Sequence, residues 1–456
     1  MLAEPHHIRR AGVCSAPRRR RVRWLETGLV VGLASLFSAS CAPEEPRPPE
    51  NAIVLGTLLP FSGSESAIGR NLEQAMLLAV QDLNAAGGLD GRPFHLRTRD
   101  SHSSSERGLE GLLELLFTDQ VRYLIGPEEN RLAREIAREV KALDVFHMLP
   151  GYAAPAVARS EATGGWMRLA PSSFDVGCTL ARIAFDEGID TVNTLASRDD
   201  YNTTVSSEFT THFAALGGRI LPSVTFASGQ HTYVSDIESA FGASAGRTLL
   251  ASYPTAGSTI VTEWAVSGRP GTWFLGPALR TEVLLANIPT GSLDGYVGVS
   301  PSLSLRSECR TTAEGPQAVD CTSGNAAAFI ERFSSFWDGE APLPAAHFYY
   351  DGVVLIAMGL AYAQAKSGVI PTSGHELQAI IRELNDPAHE AASWRDLPAA
   401  LTKLRAGIPL RYVGAAAEYQ FDDYGANRHY FMQLWTVDGD ALVDLAPVAV
   451  SCFGGR

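Results

Sequence analysis

Gly242-Ala243-Ser244-Ala245-Gly246 matches G-x-S-x-G, the turn that presents a nucleophilic serine in many hydrolases. That chemistry requires a strand before the motif and a helix after it. Here a helical pattern precedes and a strand pattern follows, so the segment reads as a glycine-rich turn. The eleven histidines are scattered, and His147 and His347 sit among apolar neighbours that suit packing rather than proton transfer. No G-x-x-x-x-G-K-[ST] phosphate loop occurs and no Cys/His spacing resembles a zinc site, so no catalytic group, cofactor or metal is expected.

What remains is binding chemistry, carried by five loops. Ser62 lies in Phe61-Ser62-Gly63-Ser64-Glu65-Ser66, whose small residues allow a solute to approach closely. Glu128, Glu129 and Asn130 form the second loop. Its two acids repel a carboxylate, although Asn130 as a helix cap and the acids beside the helix dipole account for the same residues without any ligand. In the third loop, Pro150-Gly151-Tyr152-Ala153-Ala154, backbone amides are the available donors, and Tyr152 is either a ring that covers a solute or a ring that packs. The fourth, Arg198-Asp199-Asp200-Tyr201-Asn202, offers Tyr201. The fifth zone joins Tyr253-Pro254 to Gly276-Pro277-Ala278, with Tyr253 and Ala278 as contacts.

These loops must be held by an α/β frame. Leu72, Ala75, Met76, Ala79, Val80 and Leu83 recur at helical spacing, and Gly87-Gly88 ends that helix. The apolar strand from Ile53 precedes it, and Gly91-Arg92-Pro93 leads into another strand, Phe94 to Thr98. Helical patterns then alternate with the short strands Tyr123 to Ile125, Val145 to Leu149 and Trp166 to Ala170, which implies a parallel sheet covered on both faces. A second β/α series starts after Pro171, with strands at Thr191 to Ala196, near Val224, and at Thr248 to Ser252, Thr272 to Leu275 and Gly295 to Val299. Phe329, Ile330, Phe333, Phe336 and Trp337 share one helical face, and Asp351 to Ala363 reads as a helix buried between neighbours. The tail around Val437-Asp438-Gly439-Asp440 reads as closing strands joined by a hairpin. Ligands of such open sheets bind at the carboxyl ends of the strands, where all five loops lie.

The N-terminus adds an address. Arg18 to Arg21 and Arg23 precede the apolar run Leu29 to Phe37 and the small residues Ser38-Ala39-Ser40 before Cys41. This is a secretory signal, residues 1–40, and Cys41 is the lipidation candidate. Residues 41–51 are then a lipidated Pro/Glu-rich tether. The leader carries seven Arg and two acids, so its removal moves the net charge from −13 to −18. So acidic a chain is a poor nucleic-acid binder. Four cysteines remain in an exported chain, which suggests disulfides. Cys309 and Cys321 bracket a polar loop and form the first candidate pair, leaving Cys178 and Cys452 as the second.

The stretch Ile53 to Arg99 (IVLGTLLPFSGSESAIGRNLEQAMLLAVQDLNAAGGLDGRPFHLRTR), the Tyr201 loop and the closing strands resemble the type I periplasmic solute-binding proteins, the branched-chain amino-acid (Leu/Ile/Val) receptor-like family of ABC transporters. The resemblance implies two doubly wound parallel-sheet lobes joined by a three-strand hinge. It places 52–170 with 301–410 in the N-terminal lobe and 171–300 with 411–456 in the C-terminal lobe, with crossings near Ala170, Ser300 and Leu410. It also permits Cys178 to meet Cys452. It implies a monomeric, lipid-anchored Venus-flytrap receptor of the periplasm or cell envelope, with a small solute and an inner-membrane ABC permease as partners. A sensory receptor of the same fold and a structural envelope lipoprotein with a degenerate cleft are the alternatives. Relatives hold the amino-acid carboxylate with hydroxyl residues where this chain has Glu128, Glu129 and the Gly151 loop. They hold its ammonium with an acid where it has Ala278, Glu282 lying a helical turn further on. Both halves of that clamp are altered, so a plain zwitterionic amino acid should fit badly, and a cationic or aromatic solute is expected.

Overall fold

The computed structural model describes residues 48–63, 66–151, 164–242, 247–303, 310–311, 319–320, 324–428 and 430–449. The leader, Cys41, Tyr152, Ala153, the Ala243–Ala245 centre of the serine motif, Cys309, Cys321, Cys452 and the side chain of Asn130 lie outside the described residues. Contacts divide the chain at Pro49, and residues 50–456 form one unit.

The first series runs β1 (Ile53–Leu59), α1 (Ser66–Ala85), β2 (Phe94–Asp100), α2 (Ser105–Leu113), β3 (Tyr123–Ile125), α3 (Asn130–Ala142), β4 (Phe146–Leu149) and β5 (Trp166–Arg168). Its strands form a parallel sheet in the order β2-β1-β3-β4-β5. Leu55 and Ile125 face one core while Leu58 and Leu124 face another, so helices cover both sides and the strands read as nearly unbroken apolar runs. All six apolar positions of the α1 stripe are buried. Gly88 ends that helix at φ 60°, where its N–H donates to the carbonyl of Leu83 at 2.9 Å and a side chain would overlap the carbonyl of Arg92.

The second series runs α4 (Ser173–Asp186), β6 (Thr191–Ser197), α5 (Asp200–Ala215), β7 (Arg219–Phe226), α6 (Val234–Phe241), β8 (Arg247–Ala251), α7 (Pro254–Ser267), β9 (Thr272–Leu275), α8 (Glu282–Leu285) and β10 (Val297–Pro301). The chain enters it through a buried ion pair, Arg168 to Asp175 at 3.0 Å. Burial opposes ionisation of Asp175, but the Arg168 guanidinium and the Ser172 donors hold its carboxyl below the usual range. Ser172 and Asp175 also close a capping box on α4. α6 before the Gly242 turn and β8 after it are in the order opposite to a nucleophile elbow.

The remainder comprises β11 (Arg310–Thr311), β12 (Val319–Asp320), α9 (Gly324–Phe336), α10 (Pro344–Ser367), α11 (Gly374–Leu384), β13 (Glu390–Ser393), α12 (Leu397–Arg405), β14 (Leu410–Val413), β15 (Phe431–Asp438) and β16 (Ala441–Ala449). β15 and β16 form the closing hairpin and join the second sheet, order β16-β15-β10-β9-β8-β6-β7, by antiparallel pairing to β10. That sheet is therefore mixed rather than wholly parallel. Every residue of α10 from Ala345 to Ala363 is buried, and among the described residues no helix is long and apolar enough to cross a membrane. On α9, Phe329 and Phe333 are buried but Ile330 faces solvent, because the partner elements cover a narrower stripe than the apolar pattern spans.

Two α/β lobes result. The return from the first core to the second, expected near Leu410, comes later: Leu410, Tyr412, Ala415–Ala417 and Tyr419 still pack in the first core, and Tyr430 and Met432 pack in the second. The cause is Asp351 on α10, a fully buried carboxylate. It accepts from Tyr412 and Tyr419 hydroxyls at 2.8 and 2.6 Å and from Ala415 and Ala416 N–H groups at 2.8 Å each. Burial pushes its carboxyl up to about 6, with these donors pulling the other way.

Candidate functional site

The loops at the carboxyl ends of both sheets face one another around a cavity of about 150 Å³. Its polar lining is Glu128 from the loop after β3, Tyr201, Tyr253, Arg280 and Ser300. Pro277, Ala278, Pro301 and Pro344 supply the apolar walls.

Glu128 is fixed from two sides. Tyr349 on α10 donates its hydroxyl to Oε2 at 2.9 Å, and Gly151 lies so close that a Cβ there would overlap the carboxylate. Glycine at 151 therefore makes room for the acid. Tyr201 occupies the first turn of α5, where Asp199 caps the helix by accepting from the Asn202 N–H at 2.9 Å. Burial pushes the Tyr201 phenol above its ordinary pKa, and the carboxylates of Glu128 and Asp199 add to the effect. The Glu128 contribution crosses from one lobe to the other. Tyr253 stands at the N-cap of α7, with Pro254 at the first helical position. Ala278 sits in the short 3₁₀ turn Pro277–Leu279.

Glu128, Tyr201, Tyr253 and Ala278 are thus brought together. Ser62 and Glu129 are not in the lining. Ser62 bonds its Oγ to His102 Nδ1 at 2.6 Å, and its N–H donates to Asp100 at 3.2 Å. Glu129 turns inward to accept from Ser101; burial raises its carboxyl above the usual range and that bond opposes the rise. The Asn130 side chain, Tyr152 and Ala153 fall outside the described residues. Glu282 is exposed at the start of α8 and does not line the cavity.

Arg280, Ser300, Pro301 and Pro344 escaped the sequence reading. Arg280 stands two residues beyond Ala278, where the family resemblance implies an acid and not a base. Its Nη1 donates to Ser300 Oγ at 3.3 Å and its Nη2 pairs with Asp444. Arg134 of α3 also pairs with Asp200 of α5, one residue from each lobe.

Ser62, His102 and Asp100 have the composition of a hydrolytic triad but not its geometry. Ser62 Oγ at 2.6 Å and Asp100 Oδ2 at 3.2 Å both approach His102 Nδ1, whereas a relay uses the two ring nitrogens separately. His147 and His347 are buried, and burial pushes both down to about 4, so they are neutral packing groups at neutral pH. Among the described residues no group of three or more His, Cys, Asp or Glu could hold a metal ion.

Two α/β lobes closing on a small cavity at their strand ends define a solute receptor. The chain belongs to the periplasmic binding protein family, whose model matches residues 52–386. It is similar in fold to the branched-chain amino-acid transporter substrate-binding protein LivJ of Streptococcus pneumoniae, solved with isoleucine. The TM-score is 0.66 at 17% identity, over 87% of this chain and 99% of that one. A solute-binding protein of an ABC transporter from Rhodopseudomonas palustris BisB5, solved with 3,4-dihydroxy benzoic acid, gives 0.66 at 16% identity over 89% and 99%. The chemotactic signal transduction system substrate-binding protein BasB of Halobacterium salinarum is 22% identical over 219 residues, 46% of this chain. The match spans about half the length of that curated relative, 52%. At these identities the likeness to the solved structures is one of fold.

Proposed function

We propose that this chain is an extracytoplasmic solute-binding lipoprotein that captures a small polar or aromatic solute between its lobes and delivers it unchanged to an ABC permease. The observation that carries this reading is the cavity itself, with Glu128 supplied by one lobe and Tyr201, Tyr253 and Arg280 by the other. The isoleucine and dihydroxybenzoic acid held by similar folds support a solute of that size. The lobe division is that of residues 52–170 with 301–410 and of 171–300 with 411–456, adjusted for the late return after Tyr419. The receptor acts as a monomer in the periplasm, tethered through lipidated Cys41. Cys178, which is disulfide-bonded, is proposed to pair with Cys452, and Cys309 with Cys321. The short antiparallel ladder Arg310↔Asp320 and Thr311↔Val319, next in sequence to these two cysteines, supports the second pair.

The test is mass spectrometry of the protein purified without dialysis, joined to a thermal-shift screen of metabolites. A co-purified solute that raises the melting temperature is the expected result; an empty protein that no solute stabilises would leave the structural-lipoprotein reading. Cys41→Ser should move the protein from the membrane to the soluble fraction. A second reading, a sensory receptor, is favoured by the chemotaxis protein among the relatives. Under it, deleting the chain abolishes a response to the solute and leaves uptake intact.

A further inference from the structure

We infer that Glu128 and Arg280 anchor the two ends of one solute, a single-ring carboxylic acid whose carboxylate meets Arg280 in the second lobe and whose hydroxyl or amino donor meets Glu128 in the first. This rests on the receptor reading above and reverses the polarity of the amino-acid clamp that the family resemblance implies.

Size comes first. A cavity of about 150 Å³ holds one ring: an apolar cavity of that volume in another protein binds benzene. The walls come next. Tyr201, Tyr253 and the prolines 277, 301 and 344 present broad apolar faces, which suit a flat ring better than a branched chain.

The ends decide the rest. Arg280 has five N–H donors and spends two, on Ser300 and Asp444. Those two bonds hold the guanidinium in place, and a solute carboxylate can take the remaining donors in a charge-assisted pair. Asp444 is largely exposed and Arg280 is 28% exposed, so their existing pair is a screened rim contact and does not cancel the guanidinium inside the cavity. A carboxylate can only accept, so the solute end that faces Glu128 must donate. A solute with its functional groups at opposite ends matches charges supplied by opposite lobes. An α-amino acid carries both charges on one carbon.

The experiment measures the affinity of the full chain, in detergent, for 4-hydroxybenzoate, its neutral amide 4-hydroxybenzamide, benzoate and L-leucine by calorimetry. Wild type should bind 4-hydroxybenzoate about tenfold or more tighter than the amide. Arg280→Gln should bring that ratio near unity, and a melting temperature close to that of wild type shows that the variant is folded. Glu128→Gln should erase the preference for 4-hydroxybenzoate over benzoate. An acid-to-amide ratio that survives Arg280→Gln, or leucine binding more tightly than the ring acid, overturns the assignment. So does a folded wild type that binds none of the four. In that last case the undialysed protein separates the two claims: a co-purified solute of other chemistry preserves the receptor function, and an empty cleft ends both.

Discussion

Gly151 and Glu128 show how one missing side chain can set a site. Glu128 occupies the space that a Cβ at 151 would take, and Tyr349 holds it from the other side. The atom in conflict is the far end of a flexible side chain, so Gly151→Ala should displace the carboxylate without disturbing the backbone. The expected result is a melting point within a few degrees of wild type, a cost of about 1 kcal/mol or less, together with loss of most solute-induced stabilisation. Equal loss of both would show that Gly151 serves the fold and not the site. Asp351 presents the opposite case, a buried carboxylate whose four donors come from hydroxyls and backbone N–H groups of the returning segment. Asp351→Asn turns an NH₂ toward one hydroxyl and one backbone N–H; the hydroxyl can turn to accept but the N–H is left unpaired, at about 3 kcal/mol. Denaturant titration should show that loss, whereas Tyr419→Phe, which removes one donor and creates no clash, should cost about half as much.

The elements divide between those that hold the frame and those that bring the lobes together. Arg168 and Asp175 are buried at the first crossing, but Arg134 on α3 and Asp200 on α5 are half exposed and pair between the lobes. An exposed pair contributes about 0.2–1 kcal/mol. Arg134→Ala should therefore weaken solute affinity about fivefold at most, leave the unfolding midpoint nearly unchanged, and remove part of the salt dependence of binding. Affinity that is equally salt-sensitive in the variant would show that this pair plays no part in closure. The β/α alternation was legible because α1 repeats its apolar positions at helical spacing and Gly88 needs a left-handed stop. The parallel pairing of β13 with β14, the solvent-facing Ile330 and the late return after Tyr419 were not. Each depends on a partner far along the chain, and periodicity reports only the near neighbourhood. The same holds for the site. Tyr201 and Tyr253 follow strands and were visible as loop residues, but the inward turn of Glu129 onto Ser101 and the entry of Arg280 are consequences of packing.

At the scale of the whole molecule, acid should be destabilising through two histidines buried in the first lobe. His147 shares a 2.8 Å hydrogen bond between Nε2 and the Gly126 carbonyl, which makes Nε2 the donor of a neutral ring. His347 is enclosed beside Phe329, with ring centroids 4.5 Å apart. Burial pushes each from 6.5 down to about 4. The unfolded chain then binds protons that the folded chain refuses, so this stability is fully present above pH 6.5 and is lost as the pH falls towards 4. The shift is equivalent to about 3 kcal/mol for each ring. Asp351 acts in the opposite sense, since its folded carboxyl is raised to about 6 and takes up a proton before the unfolded one does. The pH profile of wild type alone therefore mixes signs, and a variant must isolate the histidine. His147→Gln keeps an N–H donor for the Gly126 carbonyl and cannot be protonated. Unfolding free energies at pH 7.5 and pH 4.5 should differ less in the variant than in wild type, by about 2–3 kcal/mol. An identical pH dependence in the two proteins would mean that His147 takes up its proton as readily in the folded as in the unfolded chain, and the neutral packing role assigned to it would be wrong.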